Sequence, residues 1–223
     1  MVDMNQKINI VYEDNHLLIV EKPINVPVQL DSSNDQDLLT ILKSYLKEKY
    51  NKPGNVYLGL IHRLDRPVGG IMVFAKTSKA ASRLSEQVRN HTFKKFYYAI
   101  VEGKVKEKET LVDKLIKDSR TNISYVSDKG KEAKLDYELV SYNSKYSLVR
   151  INLKTGRSHQ IRVQFSSRNH PLFGDQKYNK NSKVGDQIAL FAYEISFIHP
   201  IKKELMTFKL DLPTRNPWDL FNI

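Results

Sequence analysis

The chain contains no cysteine. That excludes disulfides, iron–sulfur clusters, thiolate zinc sites and a cysteine nucleophile together, and it fits a reducing compartment. Long apolar runs are also missing. Nothing approaches the roughly 18 apolar residues that a membrane span requires, and the opening MVDMNQKINIV has no apolar stretch ahead of a small-residue cleavage site. The expectation is a cytoplasmic protein with no membrane contact. The nine glycines form neither a Walker A loop nor a GxGxxG, and there is no GxSxG elbow. Acid is in short supply, with 25 Asp and Glu against 36 Lys and Arg, for a net charge of +11. Such a surplus favours a polyanionic partner, most simply nucleic acid; the alternative is a lysine-rich surface kept for solubility.

What is present is enough for a buried core: 223 residues, 40% of them hydrophobic. Strand-like runs open the chain at 8–12 and 17–21 around the turn Glu13-Asp14-Asn15-His16. Lys22-Pro23 then breaks the pattern, and Asn25 suits a left-handed turn. Residues 35–50 read as a helix capped by Ser33 or Asn34, because Leu38, Leu39, Leu42, Tyr45, Leu46 and Tyr50 recur at three-and-four spacing. The run Ile71-Met72-Val73-Phe74-Ala75 reads as a buried strand. Thr77 or Ser78 caps a second helix to about Asn90, with an aromatic-rich strand over 93–101. Alternation over 133–139 and 149–153 predicts an antiparallel hairpin with one wet face. Residues 156–169 read as loop then helix, and two more strands fall at 188–197 and 206–212. The sum is an α+β fold: a large mixed, mostly antiparallel sheet flanked by helices and loops. The interrupted, lysine-rich stretch 103–130 is either an insertion that lies on a polyanion or a solvated loop.

Three clusters carry possible chemistry. In His62-Arg63-Leu64-Asp65-Arg66 the flanking positive charges favour the carboxylate form of Asp65, which suits a nucleophile or base better than a proton donor. An ordinary loop salt bridge explains the same residues. Lys154-Thr155-Gly156-Arg157-Ser158-His159-Gln160-Ile161-Arg162 offers two guanidiniums able to grip phosphate or carboxylate in a bidentate way. In Lys95-Phe96-Tyr97-Tyr98-Ala99 the two tyrosines face opposite sides of a strand; one can stack on a base, or both can pack in the core. The six histidines have no metal-ligand spacing, so no metal and no cofactor is expected.

Taken in order, these residues resemble the RluA-type RNA pseudouridine synthase family, catalytic domain only. Tyr12-Glu13-Asp14-Asn15-His16 through Glu21-Lys22-Pro23 is similar to the family's opening motif. Gly59-Leu60-Ile61-His62-Arg63-Leu64-Asp65 is similar to the signature around its catalytic aspartate. Lys95-Phe96-Tyr97-Tyr98-Ala99-Ile100-Val101-Glu102-Gly103 fits K-x-Y-x-A-x-V-x-G, and Gly156-Arg157-Ser158-His159-Gln160-Ile161-Arg162 fits G-R-x-H-Q-I-R. Gly174-Asp175-Gln176-Lys177-Tyr178 and Phe197-Ile198-His199-Pro200 also match. The chain departs from the pattern at Arg66-Pro67-Val68-Gly69-Gly70 and Leu190-Phe191-Ala192, which bears on subgroup and target rather than on the reaction. Family members often carry an N-terminal S4 domain; with the first motif near residue 10, none is expected here.

The resemblance implies a single catalytic domain over 1–223 with a central catalytic cleft, and an isomerase that converts specific uridines of structured ribosomal or transfer RNA to pseudouridine. Asp65 is the expected nucleophile, attacking C1′ of the ribose or C6 of the uracil. Arg162 is its expected partner. Tyr97 packs on the uracil and could assist proton loss from C5, although a phenol of ordinary pKa near ~10 is a poor base. The stacked target must flip out, at a cost of a few kcal/mol. His62, Arg63, Leu64, Arg66, Arg157, His159, Gln160 and Ile161 are the expected substrate-contacting residues. Arg63 is the first candidate to fill the gap, with a phosphate contact or structural ion pair as its alternative. RNA is the expected partner of a monomer that needs no other protein. The rival readings are an RNA-binding module without catalysis, a metal-independent ribonuclease using His62 and His159, and a basic protein of ribosome assembly.

Overall fold

The computed structural model describes residues 8–31, 33 and 35–221. The fold is α+β, with a large, mostly antiparallel sheet and few helices. The chain divides into two compact units, residues 1–93 with 194–210 and residues 94–193 with 211–223.

In the first unit, β1 (Asn9–Glu13) and β2 (Leu17–Lys22) form an antiparallel hairpin, and β2 pairs with β4 (Gly69–Ala75). A short β3 (Gly59–Leu60) also pairs with β4. Every residue of β4 is buried, as its unbroken apolar run requires. Leu17, Ile19, Ile71, Val73 and Ala75 pack with Ala80 and Leu84 of α2 (Ser78–Arg89), together with Phe93, Ile195 and Phe197. Helix α1 (Leu38–Lys49) buries Leu38, Leu42 and Leu46. Its cap is Asp37, whose carboxylate accepts from Thr40 N. The expected start at residue 35 is therefore too early, and Ser33 is not the cap; Asn34 lies outside the described residues. Thr77 caps α2 as expected, and Asn25 takes a left-handed φ of 62°. Strand β11 (Leu205–Lys209) pairs with β10 (Leu190–Ile198), which begins in the second unit and ends in this one.

Two polar knots fasten the first unit. Glu13, at the end of β1, accepts from Tyr45 Oη (2.9 Å), Lys49 Nζ (2.7 Å), Tyr50 Oη (2.6 Å) and Lys76 Nζ (2.6 Å). The carboxylate thereby joins β1 to α1 and to the end of β4. Burial raises its pKa, but the four donors outweigh burial and bring it down to about 2. His199 is fully buried; its Nδ1 accepts from Ile201 N and Lys202 N, which leaves Nε2–H to donate to Asp14 Oδ2 at 2.9 Å.

In the second unit, β5 (Lys94–Glu102), β9 (Tyr146–Leu153), β8 (Lys131–Tyr142), β6 (Lys108–Asp118) and β7 (Ile123–Val126) pair antiparallel in that order. One face carries Tyr97, Ile151, Tyr137, Leu111 and Leu115, all buried. Helix α3 (Gln160–Ser166) packs there, with Phe165 tilted on Tyr137 and Val163 against Leu115 and Ala133. Over 133–139 of β8 and 149–153 of β9 the other face is the wetter one, as the hairpin alternation predicts. The stretch 103–130 proves to be largely the β6–β7 hairpin rather than a loose loop.

Candidate active site

Each unit holds part of the expected constellation. His62, Arg63, Leu64, Asp65 and Arg66 belong to the first; Tyr97, Arg157, His159, Gln160, Ile161 and Arg162 belong to the second.

Asp65 is half-buried in the turn between β3 and β4, and its carbonyl accepts from Val68 N at 3.0 Å. Lys22 holds that turn in place. It is 1% exposed at the end of β2, and its Nζ donates to Pro23 O (2.8 Å), Arg66 O (3.0 Å) and Val68 O (2.7 Å). All three ammonium hydrogens are thus spent on backbone carbonyls, two of them in the turn that carries Asp65. Burial lowers the Lys22 pKa to about 7, with the Asp65 charge raising it and the Arg66 charge lowering it. Lys22 therefore stands within electrostatic reach of Asp65. Gly69 completes the arrangement, since a Cβ there would lie 3.1 Å from Ile24 Cγ2 and 3.3 Å from Lys22 O. The glycine lets β4 begin hard against the Lys22 segment.

The neighbours of Asp65 divide by environment. Leu64 is buried and Arg63 exposed. His62 Nε2 accepts from Val73 N at 3.3 Å, with the ring 5.6 Å from that of Phe93. Arg66 pairs with Asp35 and donates through Nε to Asn25 O.

In the second unit Tyr97 is 5% exposed on β5, paired with Ile151. Tyr98 points the other way and packs on Tyr193 at 4.5 Å, so the two tyrosines take the opposite faces that strand geometry requires. Arg162 is buried on α3 and forks onto Asp175, with Nε to Oδ2 at 2.8 Å and Nη2 to Oδ1 at 2.7 Å. Asp175 is itself 1% exposed. A bidentate pair of this kind fixes the guanidinium plane and compensates its burial. Arg162 also lies over the Tyr178 ring at 5.1 Å. Tyr178 Oη accepts from Ser124 N (2.8 Å) and bonds His159 Nδ1 (2.7 Å).

Gln160 is 3% exposed, and its amide works inside the protein. Oε1 accepts from Thr155 Oγ1 and Arg157 N, while Nε2 donates to Lys134 O and Gln164 Oε1. Arg157 is exposed and donates through Nε to Glu132 O, and Ile161 is buried. Sequence reasoning did not single out Lys22, Asp175 or Tyr178 as site residues. Each lay within a quoted motif; what was missing was the knowledge that each side chain turns back onto the chain. Among the described residues, no group of three His, Asp or Glu side chains could hold a metal ion.

The family profile described as RNA pseudouridylate synthase matches residues 16–167. The chain belongs to that family. It is 34% identical to an RNA pseudouridine synthase of Aquifex aeolicus over 94% of this chain and 71% of that one. It is also 34% identical to the ribosomal large subunit pseudouridine synthase D of Zymomonas mobilis, over 92% of this chain and 69% of that one. Among solved structures, human RNA pseudouridylate synthase domain containing 4 superposes with a TM-score of 0.77 at 22% identity, covering 92% of this chain and 88% of the other; at that identity the match speaks for the fold. The protein is accordingly an isomerase that converts RNA uridine to pseudouridine.

Proposed function

We propose that the two units work as one catalytic domain, a cytoplasmic monomer acting on uridines of ribosomal or transfer RNA, with Asp65 as nucleophile. The observation that carries this reading is the Lys22 staple. A buried ammonium spends its hydrogens on the turn that displays Asp65, which is how a fold holds a reacting group to a fixed geometry. Ribosomal RNA has support from the names of relatives in Zymomonas mobilis and Nitrosomonas europaea, both called ribosomal large subunit pseudouridine synthase D.

In the proposed reaction Asp65 attacks C1′ or C6, the N1–C1′ bond breaks, the uracil turns, C5 bonds to C1′, and the C5 proton leaves. Arg162, its plane set by Asp175, is the partner assigned to the nucleophile, keeping its carboxylate ionised. Tyr97 packs on the uracil, and the apolar side chains of Leu64 and Ile161 are assigned to excluding water from it. Arg63, exposed beside Asp65, enters the stack as the base leaves it. Arg157, His159, His62 and Arg66 meet the RNA around the site, and Gln160 acts there by shaping the loop that bears Arg157. Tritium release from [5-³H]uridine-labelled RNA tests the target, using ribosomal and transfer fractions separately from cells that lack the protein. Release from either fraction is expected. Strand scission without release would instead favour the ribonuclease reading.

A further inference from the structure

We propose that Lys95 is an RNA phosphate site beside the active-site tyrosine, taking an anionic oxygen of the backbone next to the target uridine. The proposal rests on the assignment of Tyr97 to the uracil.

Lys95 is 7% exposed on β5. Burying a cation is expensive unless it is paired, and the other buried lysine and arginine among the described residues obey that rule. Lys22 has three carbonyls and Arg162 has Asp175. Lys95 has no counterpart: among the described residues no carboxylate or carbonyl accepts from its Nζ. Burial alone acts on its pKa, and lowers it. The fold therefore carries a largely buried positive charge to which the described residues supply no acceptor.

The position of that charge points to the missing partner. Lys95 and Tyr97 are two residues apart on one strand, so they share a face, about 6.6 Å apart along it. Phe96 pairs with Asn152, which puts Lys95 at the end of β9 where the chain leaves for Gly156. A Cβ at Gly156 would lie 3.5 Å from Lys95 Nζ, and Gly156 is exposed. The ammonium thus lies against the glycine that opens the Arg157–His159 loop, at a point solvent and ligand can reach. A base packed on Tyr97 brings its own sugar and phosphate into this neighbourhood. A phosphate oxygen is permanently charged and accepts several hydrogen bonds, which meets what the buried amine lacks.

The test is Lys95→Met, which keeps the stem and removes the charge. Filter binding gives Kd for unmodified ribosomal RNA from cells lacking the protein over a salt series, tritium release gives kcat, and thermal unfolding gives Tm. The proposal expects Kd to rise roughly tenfold and the slope of log K against log salt to become shallower by about 0.7–0.9. It expects kcat to stay within about threefold and Tm to rise, because an unanswered buried charge is gone. An unchanged Kd and salt slope would overturn it. So would a loss confined to kcat, which would assign the amine to the detached uracil, or a fall in Tm together with activity, which would make Lys95 structural. Absence of tritium release from the wild type would count against the catalytic reading, while the binding series would still decide the phosphate site.

Discussion

Lys22 and Lys95 are both buried lysines, and their surroundings set them to different tasks. Lys22 is answered inside the protein by three carbonyls. Replacing it with Met strands those acceptors, so Lys22→Met should cost about 2–3 kcal/mol in urea unfolding and loosen the Asp65 turn. Tritium release should fall with it, and a variant of full stability and activity would refute the staple. The pH dependence has a definite sign. With a folded pKa of about 7 against 10.5 unfolded, the unfolded chain holds more protons between those values, so this group's contribution to stability rises as pH climbs through that window. Lys22→Met should flatten that part of the stability–pH curve. Neither lysine stood out in the sequence. Lys22 reads as the residue that breaks a strand before proline, and only the return of the chain at Arg66 and Val68 reveals its partners. Asp65 was legible because its charged neighbours are adjacent in sequence.

Elements were legible where periodicity was clean. The unbroken run of β4, the alternation of β8 and β9, and the leucine stripe of α1 all lie where their patterns put them. Strand β6 was not visible, because Leu111, Val112, Leu115 and Ile116 come in pairs at a spacing that imitates a helix. Its pairing with β8 along most of its length, Leu111 opposite Leu135 and Asp113 opposite Ala133, overrides that local pattern. Between elements, Glu13 is the fastening most open to test. Its pKa of about 2 lies below the ordinary glutamate value of 4.5, so its stabilisation is complete above about pH 4.5 and is lost as pH falls toward 2. Glu13→Gln should lower stability at pH 7 by roughly 2–3 kcal/mol and make acid unfolding shallower between pH 4.5 and 2. A wild-type acid curve in that variant would show that the four donors contribute nothing.

For the molecule as a whole, the missing cysteine, the missing nucleotide loops and the surplus of +11 agree with a reaction that oxidises nothing, consumes no nucleotide and acts on a polyanion. Family membership supplies the reaction; the chain's own residues supply the account of how it is performed, with one half of the constellation in each unit. That account turns on Asp65. Tritium release from [5-³H]uridine-labelled RNA of cells lacking the protein should be measured for wild type beside Asp65→Asn, with RNA binding followed in parallel. The account predicts release by the wild type and none by Asp65→Asn, with binding retained. Turnover by Asp65→Asn near the wild-type rate would contradict it.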